Sequence, residues 1–481
     1  MGKAVMPLRR ANMTGVRPIL LAALVLLVLS FLLPARAAGT AGKDYIVKYK
    51  DSAAALMGDD SPAPFDVVSE AEMRRLDRAG LLAWYEEDGE AFLLDEEPAG
   101  ELPESLSPFY DDRQWNQDMI GAEAAFRHGY LGQGVRVGVI DSGVNPHPDF
   151  GDRLLEGHNY MEDAADPEET ADRYGHGTRV AGLVAASGGS GHIGPAPGAR
   201  LVPLKVTDEK SIRISAICRA IYGGVDDYHC DVLNLSLGVT RQYESLKEAI
   251  AYCEQEGVVV VSAVGNNGNR TFQYPAGYDT VIGMGAVDSD GRLYYHSNCN
   301  ESVFLTAPGE EVRTTYALGG YTTASGTSFA VPQAAGAAAV LMSADRTLTP
   351  QAIRDLMRET AIDAGAEGYD ECYGCGILNL GGCVEALTGG AEVPAESPCT
   401  FLPASGPAGA LRNNTDEAAV CTYILAWYDS AGVCRIAETR QLSIPPEGTV
   451  SISPPDGTRS FGQFVCRTDT LIPLAPARKA P

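Results

Sequence analysis

The stretch Val137-Gly138-Val139-Ile140-Asp141-Ser142-Gly143 decides the fold of this chain. A short run of branched apolar residues is typical of a strand that is buried on both faces, as in a parallel sheet. The run ends on a carboxylate, and ligand sites of open parallel sheets form at the carboxyl ends of the strands. On this motif alone, a carboxylate that caps a turn is the simpler interpretation of Asp141.

Further apolar runs follow, and segments with helical periodicity separate them. The predicted strands are residues 135–140, 200–206, 231–237, 258–264 and 281–287. The predicted helices are residues 176–186, 212–223, 241–255, 328–343 and 351–359, the last with Thr349 as N-cap and Pro350 in its first turn. This alternation predicts an α/β domain over residues 109–387, with a parallel sheet and helices on both of its faces.

The 481 residues leave room for about three domains. A basic start, an apolar run over residues 19–33 and the sequence Ala35-Arg36-Ala37 predict a signal peptide over residues 1–37, with an uncleaved anchor as the alternative. Residues 38–108 are predicted to form a small α/β unit, with strands at 45–49 and 91–94 and a helix over 67–82.

The end of the chain has the pattern of a β domain. Residues 388–398 are rich in Gly, Pro and Glu and are predicted to be a linker. Residues 399–481 are predicted to form a small β-sandwich, because short alternating runs are separated by turn residues. The predicted strands are residues 422–427, 439–444, 449–452 and 462–466.

Composition excludes several classes of protein. Hydrophobic residues make up 45% and charged residues 21%, which argues against a disordered or collagen-like chain. The net charge of -26 argues against a nucleic-acid partner, since phosphate binding needs basic surface. Residues 41–104 hold 17 Asp and Glu against six Lys and Arg, a net charge of -11, and the residues from 105 onward are acidic as well.

Eleven cysteines fit a compartment that permits disulfides. Seven lie between Cys218 and Cys383, and the four from Cys399 onward allow two disulfides in three pairings. The pair Cys372-x-x-Cys375 is a weak zinc signal because no second pair has suitable spacing. A disulfide or packed thiols is the better interpretation, and no metal site is predicted.

Two more motifs carry chemistry-bearing residues in small-residue surroundings. Gly175-His176-Gly177 begins a predicted helix, and a lone His at such a place is more often structural. Thr323-Ala324-Ser325-Gly326-Thr327-Ser328 leads into another, where a capping Ser is the simpler reading of Ser328. The order Asp141, His176, Ser328 is that of subtilisin and differs from the orders of chymotrypsin and the α/β-hydrolases.

Residues 114–387 therefore resemble the subtilase family of serine endopeptidases. The resemblance implies that Ser328 attacks the scissile carbonyl, that His176 takes its proton and that Asp141 orients His176. It also implies that the amide of Asn266 stabilises the oxyanion, with Asn267 as the alternative, and that the backbone N–H of Ser328 assists.

The resemblance extends to substrate binding. Ser236-Leu237-Gly238 and Ala263-Val264-Gly265 are similar to the two family segments that pair with an extended peptide. Gln273 lies in a segment similar to the base of the specificity pocket and is expected to narrow or polarise it.

Two family features are less clear in this chain. No cofactor is required for the chemistry, and structural calcium is left open. Asp149 is placed like a family calcium ligand, but residues 187–192 lack the oxygen ligands that calcium favours. Residues 38–108 resemble the family's propeptide, which acts as intramolecular inhibitor and chaperone, and self-cleavage is predicted between Pro98 and Tyr110.

The sequence thus predicts a secreted, autoprocessed serine endopeptidase that acts on polypeptides, located outside the cell or at its envelope, without a membrane span once the signal peptide is removed. The alternative is an inactive subtilase-like binding or envelope protein. An α/β-hydrolase esterase is disfavoured, because Gly326-Thr327-Ser328-Phe329-Ala330 lacks the Gly-x-Ser-x-Gly pattern.

Overall fold

A computed structural model describes residues 43–51, 63–94, 114–162, 164–187 and 192–389 in full. Between residues 399 and 479 it describes the backbone of seven strands. The predicted signal peptide and residues 390–398 of the predicted linker lie outside the described residues, as does the range in which self-cleavage was predicted.

A seven-stranded parallel sheet forms the centre of the domain between residues 114 and 389, in the order β13-β12-β11-β9-β5-β7-β6. Its strands are β5 (Arg136–Asp141), β6 (His158–Asn159), β7 (Arg200–Lys205), β9 (Val232–Leu235), β11 (Val259–Ala263), β12 (Ile282–Val287) and β13 (Leu305–Pro308). The strands are buried almost throughout, as their unbroken apolar runs require. All five predicted strands are confirmed to within three residues at each end.

Helices cover both faces of this sheet, which confirms the predicted fold class. They are α2 (Trp115–Met119), α3 (Ala122–Arg127), α4 (His176–Ala185), α5 (Ile214–Asp226), α6 (Glu244–Gln255), α7 (Thr327–Ala344), α8 (Pro350–Thr360) and α9 (Leu380–Thr388). One apolar core lies between the sheet and α4, α7, α8 and α9, and a second lies between the sheet and α5 and α6. Thr349 caps α8 as predicted, accepting a hydrogen bond from the N–H of Ala352.

Helix α7 runs through the first core. Among the described helices only α7 is long and apolar enough to cross a membrane, and 89% of it is buried inside the domain. Its composition is therefore that of a core helix and does not establish a membrane span. A two-stranded antiparallel ribbon of β14 (Val312–Thr315) and β15 (Tyr321–Ala324) leads into it.

The N-terminal unit is an antiparallel sheet in the order β2-β1-β3 with one helix. It consists of β1 (Asp44–Tyr49), β2 (Asp66–Ser69), α1 (Glu70–Arg78) and β3 (Leu82–Glu87). The helix predicted over residues 67–82 is too long, because residues 67–69 pair with β1 and Ser69 caps a helix that begins at Glu70.

The last strand of this unit leaves its sheet. Strand β4 (Glu90–Leu93) pairs antiparallel on one side with β8 (Ser211–Arg213) and on the other with β10 (Leu237–Gly238). The prediction that helix α5 begins at Ile212 is wrong for this reason, since residues 211–213 form the strand that β4 needs as a partner. The helix predicted from Arg241 likewise begins later, at Glu244.

Seven strands follow residue 398: β16 (Cys399–Pro403), β17 (Gly409–Asn413), β18 (Ala419–Tyr428), β19 (Cys434–Ile444), β20 (Thr449–Ile452), β21 (Phe461–Arg467) and β22 (Pro473–Lys479). They form antiparallel sheets in the orders β16-β17-β20 and β19-β18-β21-β22. All four predicted strands lie within this set, and β16, β17 and β22 were not predicted. That the sheets form a sandwich domain stays a prediction.

Cys299 and Cys372 form a disulfide across 73 residues of chain. Cys372 therefore pairs outside its Cys-x-x-Cys motif, and Cys375 is free. The other four cysteines with described side chains are free and buried: Cys218, Cys230, Cys253 and Cys383. No group of three or more metal-ligating side chains occurs among the described residues.

Candidate active site

Asp141 and His176 meet at the carboxyl edge of the central sheet. Asp141 is the last residue of β5 and His176 the first of α4, and both are fully buried. The Nδ1 of His176 lies 2.8 Å from each carboxylate oxygen of Asp141. The approach depends on Gly177, because a Cβ there would lie 2.1 Å from the carbonyl oxygen of Gly143. The small residues of both motifs therefore allow this contact.

Ser328 lies in the first turn of α7, after Gly326 with φ 139°. Pro332 lacks the N–H that would normally bond the carbonyl of Ser328 four residues earlier. The hydroxyl of Ser236 donates to that carbonyl instead, at 2.8 Å. This contact explains how α7 tolerates an internal proline, and it fixes the turn that carries Ser328.

His176 lies close to the first turn of α7. Its ring lies 5.5 Å from the ring of Phe329, the residue after Ser328. The hydroxyl of Ser328 lies 3.1 Å from the carbonyl oxygen of Ser236. The structure thus brings Asp141 and His176 into contact across 35 residues of chain, and it places the residue next to Ser328 beside the ring of His176.

Asn266 is held in one orientation beside Ser328. Its Oδ1 accepts hydrogen bonds from the N–H of Thr327 at 2.9 Å and from the Thr327 hydroxyl at 2.8 Å. Its Nδ2 is thereby turned toward the cleft as a donor. Asn267 is directed elsewhere, since its side chain is exposed. Of the two asparagines, Asn266 is therefore the one whose amide faces Ser328.

Asn298 supports this segment and was not found from the sequence. It accepts from the N–H of Asn267 at 2.9 Å and donates to the carbonyl of Val264 at 3.0 Å. The neighbouring Cys299 is disulfide-bonded to Cys372. An isolated Asn-Cys pair in a loop gives no sequence signal for this role.

The cleft is filled by the N-terminal unit. The carbonyl oxygen of Leu94 accepts hydrogen bonds from the Nδ2 of Asn266, at 2.7 Å, and from the hydroxyl of Ser328. Leu237 and Gly238 pair with Leu93 and Phe92, and the N–H of Leu94 donates to the carbonyl of Ser236 at 3.3 Å. The predicted segment Ser236-Leu237-Gly238 thus binds an extended strand.

The second predicted segment, Ala263-Val264-Gly265, is buried and has no pairing with β4 among the contacts of the described residues. Instead β8 pairs with β4 on that strand's other edge, and sequence reasoning missed this partner. Gln273 lies between the two segments: a Cβ on Gly265 would be 2.8 Å from its Cγ, and one on Gly238 would be 2.9 Å from its Oε1. The Cδ1 of Leu94 lies against the same wall, 2.8 Å from that Cβ of Gly238.

Asp149, the residue placed like a family calcium ligand, is surrounded by hydrogen-bond donors. The buried Asp149 carboxylate accepts from the hydroxyl of Tyr321 at 2.5 Å and from that of Ser187 at 3.3 Å. Arg153 donates to its backbone carbonyl, and the pair of His147 and His192 lies close to Tyr321. The surroundings thus supply hydrogen-bond donors, whereas calcium needs six to eight oxygen ligands.

A buried Asp–His pair at the carboxyl edge of a parallel α/β sheet, with a serine hydroxyl and an oriented amide donor on one carbonyl oxygen, is the arrangement expected of a serine hydrolase. A sequence model of the Subtilase family matches residues 132–376. Subtilisin E of Bacillus subtilis (strain 168) is 32% identical over 368 residues, which are 72% of this chain and 92% of that protein.

Subtilisin DY of Bacillus licheniformis is 36% identical over 275 residues, 54% of this chain and 95% of its own. Minor extracellular protease Epr of Bacillus subtilis (strain 168) is 33% identical over 270 residues, 55% of this chain, but the match spans only 41% of that relative. The chain belongs to the subtilase family, and it is a serine-type endopeptidase that acts on polypeptides.

Proposed function

We propose that Ser328 is the nucleophile of this endopeptidase, that His176 is its general base and acid, and that Asp141 orients His176. The observation that carries the proposal is the carbonyl oxygen of Leu94, which a hydroxyl and an amide donor approach together. A carbonyl so held is placed for attack by Ser328, and Asn266 faces the oxygen on which negative charge develops.

The reaction follows from this geometry. The Oγ of Ser328 bonds to the carbonyl carbon while its proton passes to His176, and Asp141 stabilises the resulting imidazolium. His176 then protonates the leaving amine, the C–N bond breaks and an acyl-serine remains. Water then attacks the ester and gives one proton to His176, which passes it to the departing Oγ of Ser328 as the C–O bond breaks. The carboxylic acid and free Ser328 are released.

The first substrate is the chain's own Leu94–Asp95 bond. The pairing of β4 with β8 and β10 aligns Leu94 as the residue before the cut, with Leu93 and Phe92 preceding it. This bond precedes the range between Pro98 and Tyr110 predicted from the sequence. The extended strand in the cleft supports the earlier site, because only the carbonyl of Leu94 reaches Asn266 within the described residues.

The N-terminal unit then acts as an inhibitor, because it occupies the cleft and binds the adjacent helices. Neither α5 nor α6 has a side-chain cap of its own. Asp88 accepts from the N–H and hydroxyl of Ser215 in the first turn of α5, at 3.0 and 2.7 Å. Glu86 accepts from the N–H groups of Glu244 and Ser245 at the start of α6, both at 2.9 Å. Such caps are each worth about 1 kcal/mol.

The enzyme works outside the cell. The basic and apolar N-terminal pattern supports export. The disulfide and the similarity to a protein named minor extracellular protease point the same way. Asp149 does not hold a structural calcium ion, because hydrogen-bond donors surround its carboxylate. Thermal unfolding in the presence of EDTA tests this, and a lowered midpoint that calcium restores contradicts it.

Labelling and N-terminal mass spectrometry test the proposal together. The full chain and its Ser328→Ala variant are expressed and treated with a fluorophosphonate. We expect the wild type to be labelled at Ser328 and to begin at Asp95, and the variant to stay intact and unlabelled. A folded wild-type protein that takes no label would instead be the inactive binding protein. A mature chain beginning between residues 99 and 110 would place the cleavage in the range predicted from the sequence.

A further inference from the structure

Asp172 is a buried carboxylate with four hydrogen-bond donors around it. Only 4% of its surface is exposed. Its Oδ1 accepts from the hydroxyl of Ser142 at 2.7 Å and from the N–H of Gly175 at 2.6 Å. Its Oδ2 accepts from the N–H and the hydroxyl of Thr178, at 2.8 and 2.6 Å. An ionised carboxylate can only accept, so this set of donors holds it as an anion.

These contacts surround His176. The N-cap position of α4 is Gly175, which has φ 91° and no side chain to cap the helix. Asp172 supplies the missing cap, because it binds the N–H before His176 and the N–H two residues after it. The backbone turn that aims the imidazole is therefore fixed from a residue outside the helix.

Asp172 also acts on Asp141 through Ser142. The hydroxyl of Ser142 has one proton and lies 2.7 Å from Asp172 and 3.2 Å from the Oδ1 of Asp141. The shorter contact assigns the proton to Asp172. The same hydroxyl oxygen accepts from the N–H of Gly177 at 3.0 Å, which further fixes its orientation. Asp141 thus keeps its charge for His176, with the N–H of Ser142 as a neighbouring donor at 2.7 Å.

We infer that Asp172 is a positioning residue for catalysis, which sets the orientation of His176 through the first turn of α4 and directs the Ser142 proton away from Asp141. The inference rests on the proposed roles of Asp141, His176 and Ser328. It adds a second anion behind the catalytic pair, where it favours the imidazolium formed during attack.

Other charged groups near this anion have their own partners. The ammonium of Lys205 on β7 donates to the carbonyl of Ala171 and pairs with Asp208 at 2.7 Å. The guanidinium of Arg179 on α4 donates to the carbonyl of Gly175 at 2.9 Å. On the loop itself, Arg173 pairs with Glu169 and Asp208 at the surface. The effect of removing the Asp172 charge is therefore expected at Asp141 and His176.

Asp172→Asn removes the charge at nearly constant volume. The amide oxygen of the asparagine accepts more weakly than a carboxylate, so the Ser142 hydroxyl turns more readily to Asp141. The loss of one anion also makes the imidazolium harder to form. Both effects have the same sign, so the acidic limb of the kcat/KM profile moves to lower pH. We expect kcat to fall about 10- to 100-fold with KM changed less than about threefold, since a misoriented base costs rate more than binding.

The variant Ser142→Ala tests independently whether the Ser142 proton is directed to Asp172 and away from Asp141. With the proton assigned to Asp172, removing the hydroxyl leaves the acidic limb where it is in the wild type. In the double variant Ser142→Ala/Asp172→Asn, the acidic limb of the kcat/KM profile lies closer to its wild-type position than in Asp172→Asn alone, because no Ser142 hydroxyl remains to donate to Asp141. An upward shift in Ser142→Ala, or strictly additive effects in the double variant, would overturn the assignment.

Asp345→Asn is the matched control, because Asp345 likewise accepts the N–H and the hydroxyl of one threonine, Thr347, at 2.8 and 2.7 Å, at the end of α7 opposite Ser328. It is expected to change the unfolding temperature only. All full-length proteins are matured on immobilised wild-type enzyme, and rates are divided by the number of sites that a fluorophosphonate titrates.

Three results separate the two proposals. Loss of rate with a shifted limb in Asp172→Asn supports the positioning role. If Asp172→Asn keeps the wild-type kcat per titrated site and the wild-type acidic limb of the kcat/KM profile, Asp172 is only structural, even if the unfolding temperature falls. Failure of the wild type itself to label at Ser328 overturns the proposed function instead.

Discussion

The Nδ2 of Asn266 lies 2.7 Å from the carbonyl oxygen of Leu94, a residue 172 positions earlier in the chain. The other end of the same amide accepts two hydrogen bonds from Thr327, so it cannot rotate without losing both. The donor is therefore oriented before any substrate reacts, which is what makes such a group effective in a site that excludes water. The N-terminal unit binds the enzyme in the manner of a substrate.

Asn266→Ala should reduce kcat about 100- to 1,000-fold with little change in KM, a range known for the equivalent donor of a subtilisin. The reason is that the donor binds the charge that develops in the transition state. Steady-state kinetics on a chromogenic peptide measure the effect. Asn267→Ala is the control because its side chain is exposed. An equal loss of kcat in Asn267→Ala would contradict the assignment of the donor to Asn266.

Gln273→Gly should broaden the preference for the residue before the cut. The side chains of Gln273 and Leu94 both lie against Gly238, so the glutamine is expected to narrow the space for the side chain before the cut. Removing it makes room for aromatic rings. We expect kcat/KM for a phenylalanyl peptide to rise at least about 10-fold relative to its leucyl counterpart, as for other changes of pocket size. An unchanged ratio would mean that Gln273 does not border the bound side chain.

The N-terminal unit should bind the catalytic domain more tightly at acidic pH. Burial raises the pKa of Asp88, against the opposing effect of its bonds to Ser215 and the nearby Arg213. A carboxyl whose pKa is higher when bound than when free takes up a proton on binding. Its contribution is fully present below pH 3.8, the free value, and is lost as pH rises through the raised value.

Gel filtration of the processed complex between pH 3.5 and 7 measures this effect. The bound fraction of the N-terminal unit should increase toward acid, and Asp88→Asn should reduce that dependence and bind better than wild type at neutral pH. Asp77→Asn, at an exposed site on α1, should behave like the wild type. If acid instead releases the N-terminal unit, and Asp88→Asn abolishes this release, the predicted direction of the pH dependence is wrong.

His192 should make the fold sensitive to acid. Complete burial and the nearby Arg313 lower its pKa to about 3 from 6.5. The unfolded chain therefore takes up a proton below pH 6.5 that the folded chain does not, and stability falls by about 1.4 kcal/mol for each pH unit. His192→Gln should flatten this slope by nearly one proton.

Urea unfolding at pH 7, 6 and 5 in the Ser328→Ala background, which avoids self-digestion, measures the slope. His128→Gln, at a half-buried surface site, is the control and should leave it unchanged. If His192→Gln loses stability with acid as steeply as its parent, another group is responsible.

Local patterns in the sequence were enough to predict most strands and helices of the catalytic domain. An unbroken apolar run is enough to predict a strand such as β5, and glycines beside a functional residue predict close packing, as at His176. The motifs around Asp141, His176 and Ser328 are each short, so they are recognisable without knowledge of the fold. The same is true of Thr349, which caps α8 from the adjacent position.

Tertiary structure alone decided which distant segments meet. Residues 211–213 form a strand because β4 supplies the hydrogen-bond partners, and no pattern within them encodes that neighbour. Asp172 acquires its role from Ser142, 30 residues away, and Cys372 from Cys299. Backbone N–H and carbonyl groups carry no mark of the side chain, so the sequence by itself determined the candidate catalytic side chains. The folded chain determined that the carbonyl of Leu94 lies against both Asn266 and Ser328.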